Sequence, residues 1–350
     1  MPYSDESGVL DQVPPMKSGD LSVKVDFLRQ PDSYPHPVTH VEVMETHMSW
    51  VFLTDIIAYK LKKPVTYDFL DFSTVALRKH WCDEELRLNR RLAHDVYLDV
   101  TPLTETAGGG LRIGGSGQVV DWLVKMRRLP DHRMLNHAII DGAFSVRDIP
   151  PVASLLARFY RQATSVTLQP DDYRLGLKTI IEDNQRELSR YASEYLRPVI
   201  DSVTAAQLEF LTCHAEAFDR RVLGGHIVEG HGDLRPEHIY LGPPPRIIDC
   251  LEFNFELRIV DPADELAALA MECERLGAGG VGDILFETYM RITKDNPSSN
   301  LFVFHKGLRA CTRAKLAVWH LKDAVVRTPE KWLEQAASYL KIASMSAQHP

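Results

Sequence analysis

An α+β chain in two lobes, a small β-rich one followed by a larger and mostly helical one, is the fold class that three observations predict. Short strand-like runs fill the region from Val41 to Met126. Helical periodicity takes over beyond Pro130. One isolated hairpin then interrupts the helices, with strands from Ile239 to Leu241 and from Arg246 to Leu251 around the turn Gly242-Pro243-Pro244-Pro245. Strands gathered first and helices after them indicate segregated layers rather than a βαβ alternation. The expected division is an irregular arm over residues 1–40, a first lobe over 41–128 and a second over 129–350.

The chain has 350 residues, enough for two domains or one bilobal unit. Hydrophobic residues at 45% and charged residues at 25% are the balance of an ordinary soluble globular protein. A net charge of -8 without a basic cluster argues against nucleic acid as the main partner and is compatible with a cationic small molecule. Five scattered cysteines, Cys82, Cys213, Cys250, Cys273 and Cys311, form no CxxC, so a reduced, cytoplasmic protein without structural zinc is expected. No apolar run reaches about 18 residues and the start MPYSDESG is no signal peptide, so no membrane association is expected.

In chain order, residues 1 to about 20 and the stretch Pro31 to Pro37 lack periodicity, while Leu21 to Arg29 fits a short helix or a strand equally. Val41 to Thr46 alternates, Trp50 to Leu53 is apolar, and after the turn Thr54-Asp55 comes a third run, Ile56 to Leu61. Lys60 and Lys62 share one face of an ideal strand. A helix follows from about Ser73 to Ala93, with Asp71 or Ser73 as its cap and Leu77, Trp81, Leu88 and Leu92 on one face. Glu84 and Glu85 flank that face about equally, and periodicity leaves both open. The glycine-rich Thr106 to Gln118 lacks a GK[ST] ending and opens no helix, so it reads as a hairpin tip, with Val119 to Met126 returning from it. Beyond Pro130, helices are expected over Val152 to Gln162, as a pair broken near Pro198 between Leu175 and Asp219, and over Glu265 to Leu276, Ile284 to Thr293, Leu301 to Lys322 and Pro329 to Met345.

The chemistry centres on the hairpin. Asp233 precedes its first strand and Asp249 lies within the second, so folding brings two acids to one end of it. Phosphoryl transfer needs little else: a carboxylate for the hydroxyl proton, another for a divalent cation, and cations for the phosphates. The run His231-Gly232-Asp233-Leu234-Arg235-Pro236-Glu237-His238, followed by Asp249 and by Asp261-Pro262-Ala263-Asp264, supplies these groups.

That run resembles the catalytic loop of the protein-kinase-like superfamily, more closely that of aminoglycoside and choline phosphotransferases, whose DPxxD segment the Asp261 to Asp264 stretch matches. The resemblance implies a bilobal protein-kinase-like fold, ATP with Mg2+ (or Mn2+) as cofactors, and the hydroxyl of a small molecule as acceptor. By it, Asp233 is the catalytic base, Arg235 stands near the γ-phosphate and Asp249 holds the metal. His238 occupies the position of the Asn that usually binds a second metal, and Mg2+ prefers oxygen donors. Lys60 would pair with the nucleotide's phosphates, Lys62 being its rival. Glu85, seven residues before Leu92, would aim that lysine. The glycine-free turn ending at Ser49 would cover the phosphates, and the backbone of Lys125 and Met126 would pair with adenine. His231 and Asp264 are expected to be structural, Asp264 through backbone groups of the catalytic loop, and Glu272 and Glu274 are acids that would meet a cationic acceptor.

Three longer blocks, ETHMSWVFLTDIIAYKLKKPV, DFLDFSTVALRKHWCDEELRLNRRLA and DCLEFNFELRIVDPADELA, resemble a bacterial branch of uncertain substrate, some of whose members continue into a P-loop ATPase domain. With no GxxxxGK[ST] in the chain, the kinase-like half alone is expected. Two other readings are a nucleotide-binding pseudokinase serving as a regulatory module for a separate P-loop ATPase, and a kinase-like enzyme that modifies a protein side chain.

Overall fold

A computed structural model describes residues 20–67, 70–191, 196–322 and 328–348. The chain groups into two compact units, one from the residues up to Leu86 with Val96–Arg128, the other from Arg87–Asp95 with the residues from Leu129 onward.

In the first unit the ambiguous segment is a helix, α1 (Leu21–Leu28). Val25 and Leu28 pack with Phe52, Tyr59 and Leu61, and Lys24 reaches Asp121 at 2.8 Å. From Leu21 on, the expected arm is therefore part of the core. The strands are β1 (Glu42–Glu45), β2 (Ser49–Leu53), β3 (Ile57–Lys62), β4 (Thr66–Tyr67), β5 (Leu70–Asp71), β6 (Tyr97–Glu105), β7 (Leu111–Ile113) and β8 (Gln118–Arg127), with α2 (Val75–Ala93) between β5 and β6. Six of them form one antiparallel sheet in the order β1-β2-β3-β8-β6-β7, and β4 pairs with β5. The glycine-rich stretch is a hairpin tip, with Gly109 at φ 80° in its turn, a conformation that glycine adopts without steric cost.

The position of β8 corrects the assignment of Lys125 and Met126. Lys125 lies opposite Tyr59 on β3 and Asp99 on β6, and Met126 opposite Ala58 and Tyr97. A backbone flanked by strands on both sides has its N–H and C=O groups engaged in the ladder and offers none to a base. The chain leaves this sheet only at Arg128.

Helix α2 starts two residues later than expected, because Thr74 rather than Asp71 or Ser73 takes the cap: its Oγ1 accepts from the Leu77 N–H at 3.2 Å. Its most buried line is Arg78, Cys82, Glu85 and Asn89, one residue round from the expected Leu77 and Trp81. Charged groups are buried there because each has a partner, as Arg78 has in Asp121 at 2.7 and 2.9 Å. Hydrophobic periodicity is blind to such a face.

The second unit contains α3 (Leu135–Ile140), α4 (Ile149–Gln162), α5 (Pro170–Tyr191), α6 (Leu196–Cys213), α7 (Ala215–Leu223), β9 (Val228–Glu229), β10 (Ile239–Tyr240), β11 (Arg246–Ile247), β12 (Ile259–Val260), α8 (Pro262–Arg275), α9 (Val281–Thr293), α10 (Ser299–Trp319) and α11 (Pro329–Gln348). Three helices, not two, fill the stretch before β9. Pro198 lies in the first turn of α6, where a missing N–H leaves no bond unmade; residues 192–195 lie outside the described ones.

The hairpin is shorter than its apolar run. Only Ile239 with Ile247 and Tyr240 with Arg246 pair, so Asp249 lies beyond the second strand rather than within it. Ile239 and Ile247, both fully buried, join Leu156, Leu234, Leu266 and Leu269 in the core beneath the hairpin. Each such side chain contributes about 1.5–3 kcal/mol by leaving water. That core fixes the hairpin on α4 and α8.

Candidate active site

The candidate residues fall into two groups, each within its own unit. In the first, β3 presents Lys60 and Lys62 on one face, and α2 places the buried Glu85 against both, its Oε1 2.9 Å from the Lys60 Nζ and its Oε2 2.6 Å from the Lys62 Nζ. Lys62 is fully buried and its Nζ lies 4.9 Å from the centre of the Phe72 ring, whereas the Lys60 side chain is 14% exposed. Two ammonium groups share one carboxylate. Of the two, Lys60 is the one with access to solvent. Ser49, expected over the phosphates, is buried at the start of β2, where its N–H and C=O bond Thr46 and fix the β1–β2 turn.

In the second unit the catalytic-loop segment follows β9. Gly230 admits no side chain, since a Cβ there would stand 2.3 Å from Val260 Cγ2 and 2.8 Å from the Glu265 carboxylate. Gly232 has φ +88°, accessible to glycine at little cost. These two glycines let the backbone pass close to Glu265 of α8. The Glu265 carboxylate accepts from the N–H of His231 at 3.0 and 3.1 Å and from that of Gly232, and the Tyr160 hydroxyl donates to it at 2.8 Å. Burial pushes the Glu265 pKa up, against the pull of those donors.

Glu265 therefore does what Asp264 was expected to do. Asp264 pairs instead with Arg309 on α10, at 2.7 Å from its Nε, with His305 3.5 Å away. Burial pushes its pKa up, but Arg309 and His305 outweigh this and hold it below the usual carboxylate range. Asp261 caps α8 through the Ala263 N–H at 2.9 Å and binds Arg221 at 2.7 and 2.8 Å, while Arg221 also holds Asp295. Sequence reading missed both Glu265 and Arg221. The only trace of Glu265 was a second acid directly after the DPxxD segment.

Two histidines knit the loop to the residues around Asp249. His231 is buried with its Nε2 2.9 Å from the Ile248 carbonyl, and since a carbonyl only accepts, Nε2 carries the proton. Burial, chiefly, lowers the His231 pKa to about 4 and keeps the ring neutral. His238 has its Nδ1 2.8 Å from the Asp233 carbonyl. Nδ1 therefore carries a proton, and Nε2 lies 3.6 Å from the Asp249 Oδ2. A neutral imidazole whose second nitrogen is held by a carbonyl is a ready metal ligand.

Asp249 itself has φ 60°, a left-handed conformation uncommon outside glycine. The bonds on either side of it hold it there. Ile248 N–H donates to the His238 carbonyl at 2.9 Å, Leu251 N–H to the His231 carbonyl at 3.0 Å, and Cys250 N–H to Asn89 Oδ1 at 2.8 Å. The last turns of α2 add Arg91, which donates to the carbonyls of Glu229 and Gly230 at 3.0 and 2.9 Å. Neither Asn89 nor Arg91 was visible as a site residue in the sequence.

The Asp233 carboxylate is 38% exposed and the Asp249 carboxylate 47% exposed, so both open to solvent. Arg235 lies 3.7 Å from Asp233 and also pairs with Glu237. Among the described residues no cluster of three or more His, Cys, Asp or Glu side chains is poised to hold a metal. Asp249 and His238 form a two-donor edge. Such an edge fits a divalent cation that draws its remaining ligands from phosphate oxygens and water.

No family model matches the chain. Uncharacterized proteins Rv2004c of Mycobacterium tuberculosis and Mb2027c of Mycobacterium bovis are each 32% identical to it over 320 residues, covering 90% of this chain and 62% of theirs. The chain thus spans less than two thirds of those relatives. Among solved structures, the GDP complex of wild-type aminoglycoside 2'-phosphotransferase-IIIa aligns with a TM-score of 0.50 at 12% identity, over 93% of this chain and 99% of that one. Choline kinase from Cryptosporidium parvum aligns with a TM-score of 0.54 at 11% identity, over 94% and 96%. The fold is that of aminoglycoside phosphotransferases and choline kinases. At such identities the aminoglycoside phosphotransferase and choline kinase structures speak for the fold alone, and the reaction has to be argued from the site. No helix among the described residues is long and apolar enough to cross a membrane.

Proposed function

We propose that the chain is a phosphotransferase that uses ATP and Mg2+ to phosphorylate the hydroxyl of a small molecule. The observation that carries this reading is His238, whose ring joins the Asp233 backbone at 2.8 Å to the Asp249 carboxylate at 3.6 Å. A plain hairpin needs no such link. It sets a solvent-facing carboxylate, able to take a proton, beside a carboxylate and an imidazole able to hold a cation.

In this mechanism Asp233 accepts the proton of the acceptor hydroxyl as that oxygen attacks the γ-phosphorus. The bond from the γ-phosphorus to its bridging oxygen breaks, and ADP leaves with the electron pair. Asp249 and His238 would hold the divalent cation, which supplies charge neutralisation at the phosphates when bound. Lys60 provides a further positive charge, and Glu85 orients it at 2.9 Å. Glu265 keeps the loop in place through the N–H groups of His231 and Gly232.

The direct test is ADP release by the purified protein with Mg2+ or Mn2+, with and without a pool of small hydroxyl compounds, beside Asp233→Asn. Acceptor-dependent release should fall by about 10²–10⁴-fold in the variant, the usual contribution of a positioned base, while nucleotide binding persists. Equal turnover in the two proteins would remove Asp233 from the role. A second reading, a nucleotide-binding regulatory module with a P-loop ATPase as partner, draws on the nitrogen donor at His238. ATP binding without turnover under every condition would favour it.

A further inference from the structure

Resting on the phosphotransfer reading, the question is what an acceptor would meet beside Asp233. The acids expected to greet a cation are already engaged. Glu274 pairs with Lys306 at 2.9 Å. Glu272 is buried on α8 and takes two guanidinium groups, Arg275 Nε at 3.0 Å from its Oε2 and Arg313 Nε at 2.9 Å from its Oε1. The Tyr339 hydroxyl of α11 donates to the same carboxylate at 2.9 and 3.0 Å.

One carboxylate and two guanidinium groups leave a surplus positive charge. Each arginine approaches Glu272 through its Nε. Both lie over the Tyr339 ring, 5.2 and 6.0 Å from its centre, which restrains the two guanidinium planes. The side chains stay 29% and 22% exposed. Planar, restrained, partly exposed guanidinium pairs are suited to bidentate capture of a carboxylate or phosphate.

The pair is also close enough to the chemistry. Glu265, which holds the catalytic loop, and Glu272 lie seven residues apart on α8, about 10 Å along the axis. They fall two turns apart on one face. Asp233 is among the acids whose charge bears on the Arg313 guanidinium.

We propose that Arg275 and Arg313 form the acceptor anchor, and that the acceptor is a small hydroxyl compound bearing a carboxylate or phosphate. Its hydroxyl would reach Asp233 while its anionic end meets the two guanidinium groups. The two anions share the chemistry that the arginines recognise, and the experiment separates them.

The test uses the whole chain and matched probes of one carbon skeleton, glucose, gluconate and glucose 6-phosphate, with choline as the cationic control. Binding is measured by calorimetry without nucleotide, and ADP release is measured with ATP. Either acidic probe should bind wild type about 10- to 100-fold more tightly than glucose, the worth of one or two charge-assisted hydrogen bonds. Arg275→Gln and Arg313→Gln should each remove most of that difference. Each single variant leaves Glu272 with one guanidinium and Tyr339, so the fold should survive. Arg313→Lys, which keeps the charge but loses the planar fork, should recover it only in part.

A preference for gluconate identifies a carboxylate acceptor, and one for glucose 6-phosphate a phosphate acceptor. Tighter binding of choline or glucose, or acidic probes that bind wild type and the glutamine variants alike, would overturn the anchor and leave a structural pair only. If acidic probes bind through the arginines yet release no ADP, the anchor stands and the phosphotransfer reading fails. ADP release stimulated by choline alone would sustain phosphotransfer and sink the anchor.

Discussion

His238 shows how one residue type can decide a site. Its Nδ1–H binds the Asp233 carbonyl, and in the proposed metal site its Nε2 would join Asp249 as a nitrogen donor where a hard cation would choose oxygen. His238→Asn should therefore weaken Mn2+ binding relative to Mg2+, seen as a lower Mn2+ affinity in electron paramagnetic resonance and a lower Mn2+/Mg2+ activity ratio. Unchanged values in both would take His238 out of the metal's coordination. His231 makes a different prediction. Its folded pKa of about 4 lies below the ordinary 6.5, so the unfolded chain binds the proton first as pH falls. The stability this residue contributes is present above pH 6.5 and lost progressively toward pH 4, on the order of 3 kcal/mol if the whole shift is realised. Denaturant unfolding at pH 7.5 and 4.5 should show that loss in wild type and a smaller one in His231→Phe.

At the level of elements, α8 organises the second unit. Its cap Asp261, its Glu265 and its Asp264 each hold a different neighbour: Arg221, the catalytic loop and Arg309. Glu265→Ala would leave two loop N–H groups without their acceptor, a cost of about 1–3 kcal/mol for each one that stays buried. On the proposed reaction, turnover should fall more than ATP affinity, because the loop carries Asp233, the proposed base. Equal loss of both, or of neither, would argue that Glu265 has no positioning role. Helix α2 shows the limit of pattern reading at this scale. Leu77 and Trp81 drew attention, yet Arg78, Glu85 and Asn89 bind Asp121, the two lysines and Cys250. A buried polar face produces no hydrophobic stripe.

Across the whole molecule, charge is buried wherever it is paired. Arg221, almost wholly buried, holds both Asp261 and Asp295, and these two acids keep its pKa above the ordinary arginine value despite the opposing effect of burial. Arg221→Ala would leave two buried carboxylates uncompensated, so unfolding free energy should drop by about 3–5 kcal/mol. The denaturant midpoint measures it, and a midpoint within error of wild type would mean that water replaces the arginine. The tight pairing of Glu272 and Glu274 belongs to the same habit.

The sequence by itself determined what chemistry-bearing short motifs and strong periodicity can carry. The hairpin with Asp233 before it, the helix after Asp261 and the sheet-then-helix order were legible, because each follows from turn chemistry or alternation, while the Lys60–Glu85 pair came from the family resemblance, periodicity having left Glu84 open beside Glu85. Only the tertiary structure decided which groups far apart in sequence meet. It set Glu265 rather than Asp264 on the loop, placed Asn89 and Arg91 behind it, engaged the backbone of Lys125 and Met126 in a central strand, and gathered Arg275, Arg313 and Tyr339 on Glu272. These contacts join helices and strands whose packing is fixed by burial and whose polar partners leave no local period. A one-residue shift along α8 exchanges loop anchor for helix pairing, and no window of sequence distinguishes the two.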